Sequence, residues 1–396
     1  MITTQTASHP APAAAIPAPG SFGYDLQFLQ QHDPNLVLLK NDEAQLIASA
    51  KYQGKVFTST AEGPHGKSFG WINYKAFSGQ PDPHMNAYGG ENRLWLGPEG
   101  GPFSLYFAPG AKMEFANWHT PAAFDSEPWE LITDNDSMAV FKKEMQLTNY
   151  THTKLFLSVK RSVVLLGKNG ITQLLGISLG NDCKAVGYRT GNTLTNTGPN
   201  AWTETTGMPC IWMLDMFPPS DATTVVIPYA AGDDHPANTA YFGAIPAGRI
   251  KYSNNTLYFK ADGRQRGKLG IKPERTLPLA GSYDAKHGVL TIIQFDTAAS
   301  MQYLNQEWGT AKPPFSGDAM NAYNDGPLAG NGQLGPFYEL ESVSPAAFLP
   351  PGHSMTHWHS VFHFTGNRDA MDAIAQSLLG CSLQDIETAF VQTNNQ

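Results

Sequence analysis

The sequence is poor in cysteine. Three occur in 396 residues, Cys183, Cys210 and Cys381, far apart and in no CxxC pair. A scattered odd set offers neither a disulfide framework nor a thiolate metal site, and it leaves the redox compartment open. Charge is also scarce. Asp, Glu, Lys and Arg make up 15% of the chain, against roughly 25% in an average globular protein. Lys+Arg 26 against Asp+Glu 34 gives a net charge of −8, with no long basic run. That argues against nucleic acid as a partner. No run of about 18 apolar residues occurs, so no segment reads as crossing a membrane. GxSxG and HExxH are absent, which argues against an elbow-type serine hydrolase and a zincin. No repeat of roughly 20–50 residues is visible, which disfavours a propeller.

Turn residues and apolar residues are abundant. Gly 38 and Pro 29 punctuate a chain that is 41% hydrophobic and 11% aromatic. Short β-prone runs such as Lys55–Thr58, Ser104–Phe107, Met138–Leu147, Leu155–Leu166, Thr172–Ser178, Thr223–Tyr229, Thr256–Lys260 and Gly288–Phe295 alternate with turns such as GKNG, SNN and ADG. Helical signals are few. Gln27–Gln31 starts a short helix, and 42–50 reads as a helix or a strand lead-in. Arg368–Leu379 is the clearest helix, closed by Gly380, and a second starts at Ser382 with Asp385 completing a capping box. The expectation is an all-β body, a large two-sheet sandwich, with short C-terminal helices. Residues 1–20 are an Ala/Pro-rich leader expected to be disordered, and 21–396 are expected to form one domain. The leader lacks a basic n-region and an apolar h-region, so it does not read as an intact signal peptide. Periplasmic, secreted and cytoplasmic locations all stay open, as does the oligomeric state.

Three constellations could carry chemistry. In GHSMTHWHSVFHF, an extended strand puts His357, His359 and His363 on one face and Trp358, Phe362 and Phe364 on the other. The aromatic face reads as core and the imidazole face as a surface or cleft. Residues two apart are about 6.6 Å apart, so His357 and His359 can share a divalent metal, while His363 lies about 20 Å from His357. In FYELESV, Glu339 and Glu341 share a face and repel unless a cation or a proton intervenes. Either carboxylate is a candidate general base. A hairpin between these two strands would set the glutamates beside the histidines. In GGENRLWLGPEGG, Glu91, Arg93 and Glu99 sit among glycines that let backbone approach a ligand closely. Asp325, in the turn NDGP, is a weaker candidate. The bland alternatives are a surface histidine strand, two solvated carboxylates and an Arg–Glu pair inside a hairpin loop.

The segments GGENRLWLGPEGG, GMPCIWMLDMFPPS, NDGP through YELESVSPAAFLPPG and HWHSVFHFTG resemble an uncharacterised bacterial family of the galactose mutarotase-like superfamily. The resemblance covers nearly all of the chain after about residue 20. It implies a supersandwich of two large, mostly antiparallel sheets with a sugar-sized cleft on the concave face. It also implies a sugar or oligosaccharide as partner. Mutarotation needs a Glu base and a His acid, so Glu341 or Glu339 and His359 or His357 become catalytic candidates. Glu91, Arg93, Glu99, Asp325 and His363 become substrate-binding candidates. The epimerases' His-Tyr-Phe-Asn signature is absent, and Tyr241-Phe242-Gly243 and Asn92-Arg93 only echo their motifs. No cofactor is required on this reading, and a divalent metal on His357 and His359 is an option. Three functions compete: an aldose 1-epimerase-like enzyme, a lyase or hydrolase on an acidic glycan with Arg93 holding a carboxylate, and a non-catalytic carbohydrate-binding protein.

Overall fold

Runs rich in Val, Ile, Thr and aromatics pair into three sheets whose neighbouring strands are all antiparallel. The computed structural model describes residues 17–180, 182–232, 235–328 and 332–391. Most of the expected leader, residues 1–16, lies outside them. Its last residues are tied to the body. Ser68 N–H donates to the Gly20 carbonyl at 3.0 Å, and Pro17 packs where a side chain at Gly23 would go.

The large sheet has ten strands, among them Met138–Thr148, Lys154–Leu166, Cys183–Asn196, Val289–Phe295 and Ser354–Gly366. The small sheet has six, in the order Ala237–Asn238, Gly267–Ile271, Met320–Asn324, Tyr338–Val343, Cys210–Phe217 and Arg93–Gly97. A three-stranded meander, Val37–Asn41, Ala44–Ser49 and Lys55–Thr60, completes the body. Residues 42–50 therefore settle as strand. One apolar core, from Val37 to Val361, fills the space between the sheets. This is the all-β sandwich with short C-terminal helices expected from the sequence.

The outer face of the large sheet is covered by helices. Phe362, Phe364, Leu290 and Ile292 meet Ile171 of helix Lys168–Leu175 and Met371, Ile374 and Leu379 of helix Arg368–Leu379. Each such buried side chain is worth about 1.5–3 kcal/mol. Helix Arg368–Leu379 is stopped at both ends by its own sequence. Asn367 caps it by accepting from Ala370 N–H, and Gly380 closes it at φ 69°. The capping box at Ser382 and Asp385 forms and opens helix Leu383–Thr388. At the other end of the chain, helix Phe22–His32 contains the expected Gln27–Gln31.

Three local expectations are corrected. Thr172–Ser178 is the end of helix Lys168–Leu175, closed by Gly176 at φ 67°, because Ile171 and Leu175 sit one turn apart and bury together. Ser104–Phe107 is loop, with the isolated bridge Phe107–Trp118 in place of a strand. Tyr338–Val343 and Ser354–Gly366 do not form a hairpin. The first pairs with Met320–Asn324 and Cys210–Phe217 in the small sheet, the second with Val289–Phe295 and Cys183–Asn196 in the large one. The segment between them crosses from one sheet to the other.

Candidate functional site

Directly opposed residues in an antiparallel sheet share a face. In the small sheet one row reads Arg93, Leu214, Glu341, Asn321, Gly270 and Asn238. The next reads Met216, Glu339, Tyr323 and Lys268. This face looks away from the large sheet. The alternate residues, Ser342 and Asp215, point inward and meet the histidine strand.

The repulsion between Glu339 and Glu341 is met by two cations from other strands. Arg93 Nη2 donates to Glu339 Oε1 at 2.8 Å, and Lys268 Nζ donates to Glu341 Oε2 at 2.8 Å. Trp212 Nε1 donates to the same Glu341 oxygen at 2.8 Å. The Arg93 guanidinium lies 4.2 Å over the Trp95 ring and the Lys268 amine 4.8 Å over Trp212. Burial holds the Glu339 carboxyl above its ordinary range, at about 7. Arg93 pulls it down, and the Glu341 charge pushes it further up. Two buried polar atoms of this layer, Arg93 Nε and Glu341 Oε1, have no hydrogen-bond partner among the described residues, and neither does Asn321 Oδ1.

Next to Tyr323, the residue directly opposite Glu339, opens a cavity of about 240 Å³. Trp118, Trp308, Phe115 and Phe242 supply apolar walls, and Glu99, Arg266, Tyr323, Asp325 and His84 supply polar ones. Met85 in its lining touches Arg93 Nη1 at 3.9 Å, which joins the cavity to the charged layer. Glu99 accepts from Trp308 Nε1 at 3.1 Å, and burial raises its carboxyl. Asp325 accepts from Tyr323 Oη at 3.0 Å and from Gly335 N–H at 2.8 Å. His84 Nδ1 is 2.6 Å from the Trp118 carbonyl. A carbonyl only accepts, so Nδ1 carries the proton and Nε2 is left for a ligand.

The histidines expected at this cleft are elsewhere. His357, His359 and His363 are 1%, 0% and 1% exposed and face the core between the sheets. Ser342 Oγ lies 2.8 Å from His357 Nε2 and 2.8 Å from His359 Nδ1, and His359 Nε2 is 2.6 Å from Asp215 Oδ2. His363 bonds Thr291 and, at 3.1 Å, Glu91 Oε1. Glu91 also accepts from Ser59 N–H and Oγ, so it belongs to the interior as well. Burial, with His359 adding, pushes the His357 ring down to about 3. The imidazole face of the strand is thus buried, and on the other face Phe362 and Phe364 are covered by the helices while Trp358, 36% exposed, is not.

The small sheet separates the candidates. Glu99 and Asp325 line the cavity and Arg93, Glu339 and Glu341 lie on the sheet face beside it, while Glu91, His357, His359 and His363 lie behind that sheet. The pairing of Glu341 with His359 as base and acid is split by the sheet's own thickness. His357 and His359 do approach each other, but through a shared hydroxyl. Among the described residues no three His, Cys, Asp or Glu side chains group as a metal site. Lys268, Asn321 and His84 are not singled out as site residues by the sequence. A lone lysine in the apolar strand GKLGI was a usable signal for Lys268. His84 sits in a loop, and only the folded chain brings it to the cleft.

Residues 20–390 match the model of a family of unknown function, DUF6786. No curated protein matches the chain. Among solved structures, it is similar to a protein of Escherichia coli K12 provisionally described as an aldose 1-epimerase. The two share 13% identity at a TM-score of 0.51, over 83% of this chain and 98% of that one. It is also similar to a galactose mutarotase-like protein from Lactobacillus casei, with 12% identity and a TM-score of 0.50, over 83% of this chain and all of the other. At such identities the likeness concerns the fold. The chain belongs to this family of unknown function, and its fold is galactose mutarotase-like.

Proposed function

We propose that this member of the family is an aldose 1-epimerase-like enzyme acting on a carbohydrate, with Glu339 as the base. The observation that supports the reading is a raised carboxyl, Glu339, directly opposite Tyr323, which lines a cavity walled by Trp and Phe rings. Aromatic rings offer stacking faces to a sugar, and carboxylates and amides bind its hydroxyls. Glu339 takes the proton from the anomeric hydroxyl as the C1–ring-oxygen bond breaks, and the ring oxygen receives a proton. The aldehyde turns about C1–C2 and closes from its other face, returning both protons. The acid in this scheme is His84 as an imidazolium, with its Nδ1–H on the Trp118 carbonyl and its Nε2–H giving the proton to the ring oxygen and later taking it back. Glu341 acts through Lys268, keeping the second cation in place and Glu339 raised.

A second reading has one observation in its favour. Glu99 is a second raised carboxyl on the same cavity, and two carboxyls flanking a sugar also suit glycosidic hydrolysis. A proton NMR time course on a panel of freshly dissolved aldoses and oligosaccharides separates the two. Faster anomer exchange supports the epimerase. New reducing ends support a hydrolase, vinyl protons a lyase, and line broadening without conversion a binding protein. For the epimerase, Glu339→Gln lowers turnover by about 10²–10⁴-fold, the usual contribution of a general base, while sugar binding survives. Undiminished turnover in that variant removes Glu339 from the role.

A further inference from the structure

Two groups of contacting side chains line the cavity of about 240 Å³, and they differ in charge balance. The first group balances itself. The Arg266 guanidinium lies 3.7 Å over the Phe242 ring, and its Nε donates to Tyr323 Oη at 3.2 Å. Tyr323 Oη donates in turn to Asp325 Oδ1 at 3.0 Å, so a cation and a carboxylate are joined through one phenol. The second group has a carboxylate and no such cation. Glu99 Oε1 accepts from Trp308 Nε1 at 3.1 Å. Arg93 and Lys268, the cations of the neighbouring sheet face, are bonded to Glu339 and Glu341 instead. Burial holds the Glu99 carboxyl above its ordinary range, and Lys268 lowers it while Glu341, the partner of Lys268, raises it. Asp82, an exposed carboxylate in the same lining, adds negative charge. The proton of His84 is committed to the ring oxygen in the scheme above.

Aromatic rings stand beside Glu99. Trp118 and Trp308 stack with centroids 6.4 Å apart at 24°, and Phe115 stacks on Trp118 at 6.2 Å. Trp308 is 38% and Phe115 62% exposed, so ring surface is open to a ligand. Ring faces attract cations, most strongly where water is excluded. A carboxylate partly withdrawn from water is stabilised in its charged form by the same visitor. Trp118 is 7% exposed and lines the cavity, and its Nε1–H has no hydrogen-bond partner among the described residues. A buried donor left unpaired is costly, and an acceptor oxygen on the ligand would satisfy it.

We infer that the sugar taken by this cavity carries a protonated amine, which donates to Glu99 among the Trp118 and Trp308 rings, while a hydroxyl oxygen near the amine accepts from Trp118 Nε1. The inference rests on reading the cavity as a sugar site and adds the ligand's charge and substituent. A neutral sugar would leave Glu99 without a counter-charge, and a uronate would bring a second carboxylate to it.

Titration calorimetry on the full chain at pH 7 tests this. The ligands are glucose, galactose and mannose, their 2-amino and 6-amino derivatives, and the N-acetylated forms of those amines. One amino sugar is expected to bind at least about tenfold more tightly than its parent hexose and than its N-acetylated form, which keeps the nitrogen and loses the charge. Glu99→Gln keeps the length of the side chain and removes its charge, and should bring the ratio of amino-sugar to parent affinity to about one. Should that variant fail to fold, the wild-type comparison of charged and acetylated forms decides alone. Equal affinity for amino, parent and acetylated sugars overturns the inference while the sugar site stands. A preference for the amine that survives in Glu99→Gln overturns its placement at Glu99. No binding by any sugar overturns the reading of the cavity itself.

Discussion

Glu339 and Glu341 are two residues apart on one strand, yet their surroundings assign them different tasks. Glu341 is fully buried and shares one oxygen between Lys268 and Trp212, whereas Glu339 is 6% exposed and lies opposite Tyr323, which lines the cavity. Glu339 must be ionised to accept a proton, so turnover should rise with pH through about 7. A pH–rate profile of kcat checks this, and a rising limb in the ordinary carboxylate range would contradict it. Replacing the second cation, Lys268→Met, leaves Glu341 buried without its partner. Losing one member of a buried pair costs about 3–5 kcal/mol, a loss that chemical denaturation would register. Alternation along FYELESV made the shared face of the two glutamates legible, and GGENRLWLG offered Arg93. Alternation could not say which way the histidine face looked. In HWHSVFHF one side meets the helices and the other meets Ser342 and Asp215, and which layer lies over each side is a property of the whole fold.

At the scale of elements, strands were legible wherever β-branched and aromatic residues met Gly or Asn turns, as in Met138–Thr148 and Thr256–Lys260. Thr172–Ser178 misled because TQLLGIS is short and apolar, and its helical partner Ile171 lies just before it. Partnering was less legible than strand formation. The two strands flanking Pro345–Gly352 are close in sequence, but loop length alone does not distinguish a hairpin from a crossing between sheets. The C-terminal helix stabilises the large sheet by covering Phe362 and Phe364. Ile374→Ala, 2% exposed in the wild type, should cost about 2–5 kcal/mol by leaving a cavity there. A loss below about 0.5 kcal/mol in a denaturation experiment would mean that this helix is not part of the cooperative body.

Over the whole molecule, the sandwich places a buried histidine layer behind the cleft, and that layer gives the protein a pH signature. The His357 ring titrates near 6.5 when free and near 3 in the fold. Between those values the unfolded chain binds a proton that the folded chain refuses. Stability from this group is therefore complete above about 6.5 and falls as pH drops toward 3, by at most about 1.4 kcal/mol per pH unit. Glu339 works in the opposite sense between 4.5 and about 7, because its raised carboxyl holds a proton that the unfolded chain has lost. Comparing wild type with His357→Asn at pH 7 and pH 5 cancels the Glu339 effect. The variant's stability should change less on acidification in the His357 window, and equal slopes would contradict the sealed, neutral ring. The fold class was legible from composition, turns and the absence of repeats. Its cleft was less so, since all of its lining residues but Tyr323 come from outside the strands, far apart in the chain.

The central claim is that Glu339 moves a proton at the anomeric centre of a sugar. The most direct test is the anomer exchange rate measured by proton NMR at pH 7, on one responsive aldose or reducing oligosaccharide, with wild type and Glu339→Gln side by side. The account predicts catalysed exchange in the wild type and a loss of about 10²-fold or more in the variant, with ligand line broadening kept in both. Equal exchange rates in the two proteins, or no catalysed exchange by the wild type despite binding, would contradict it.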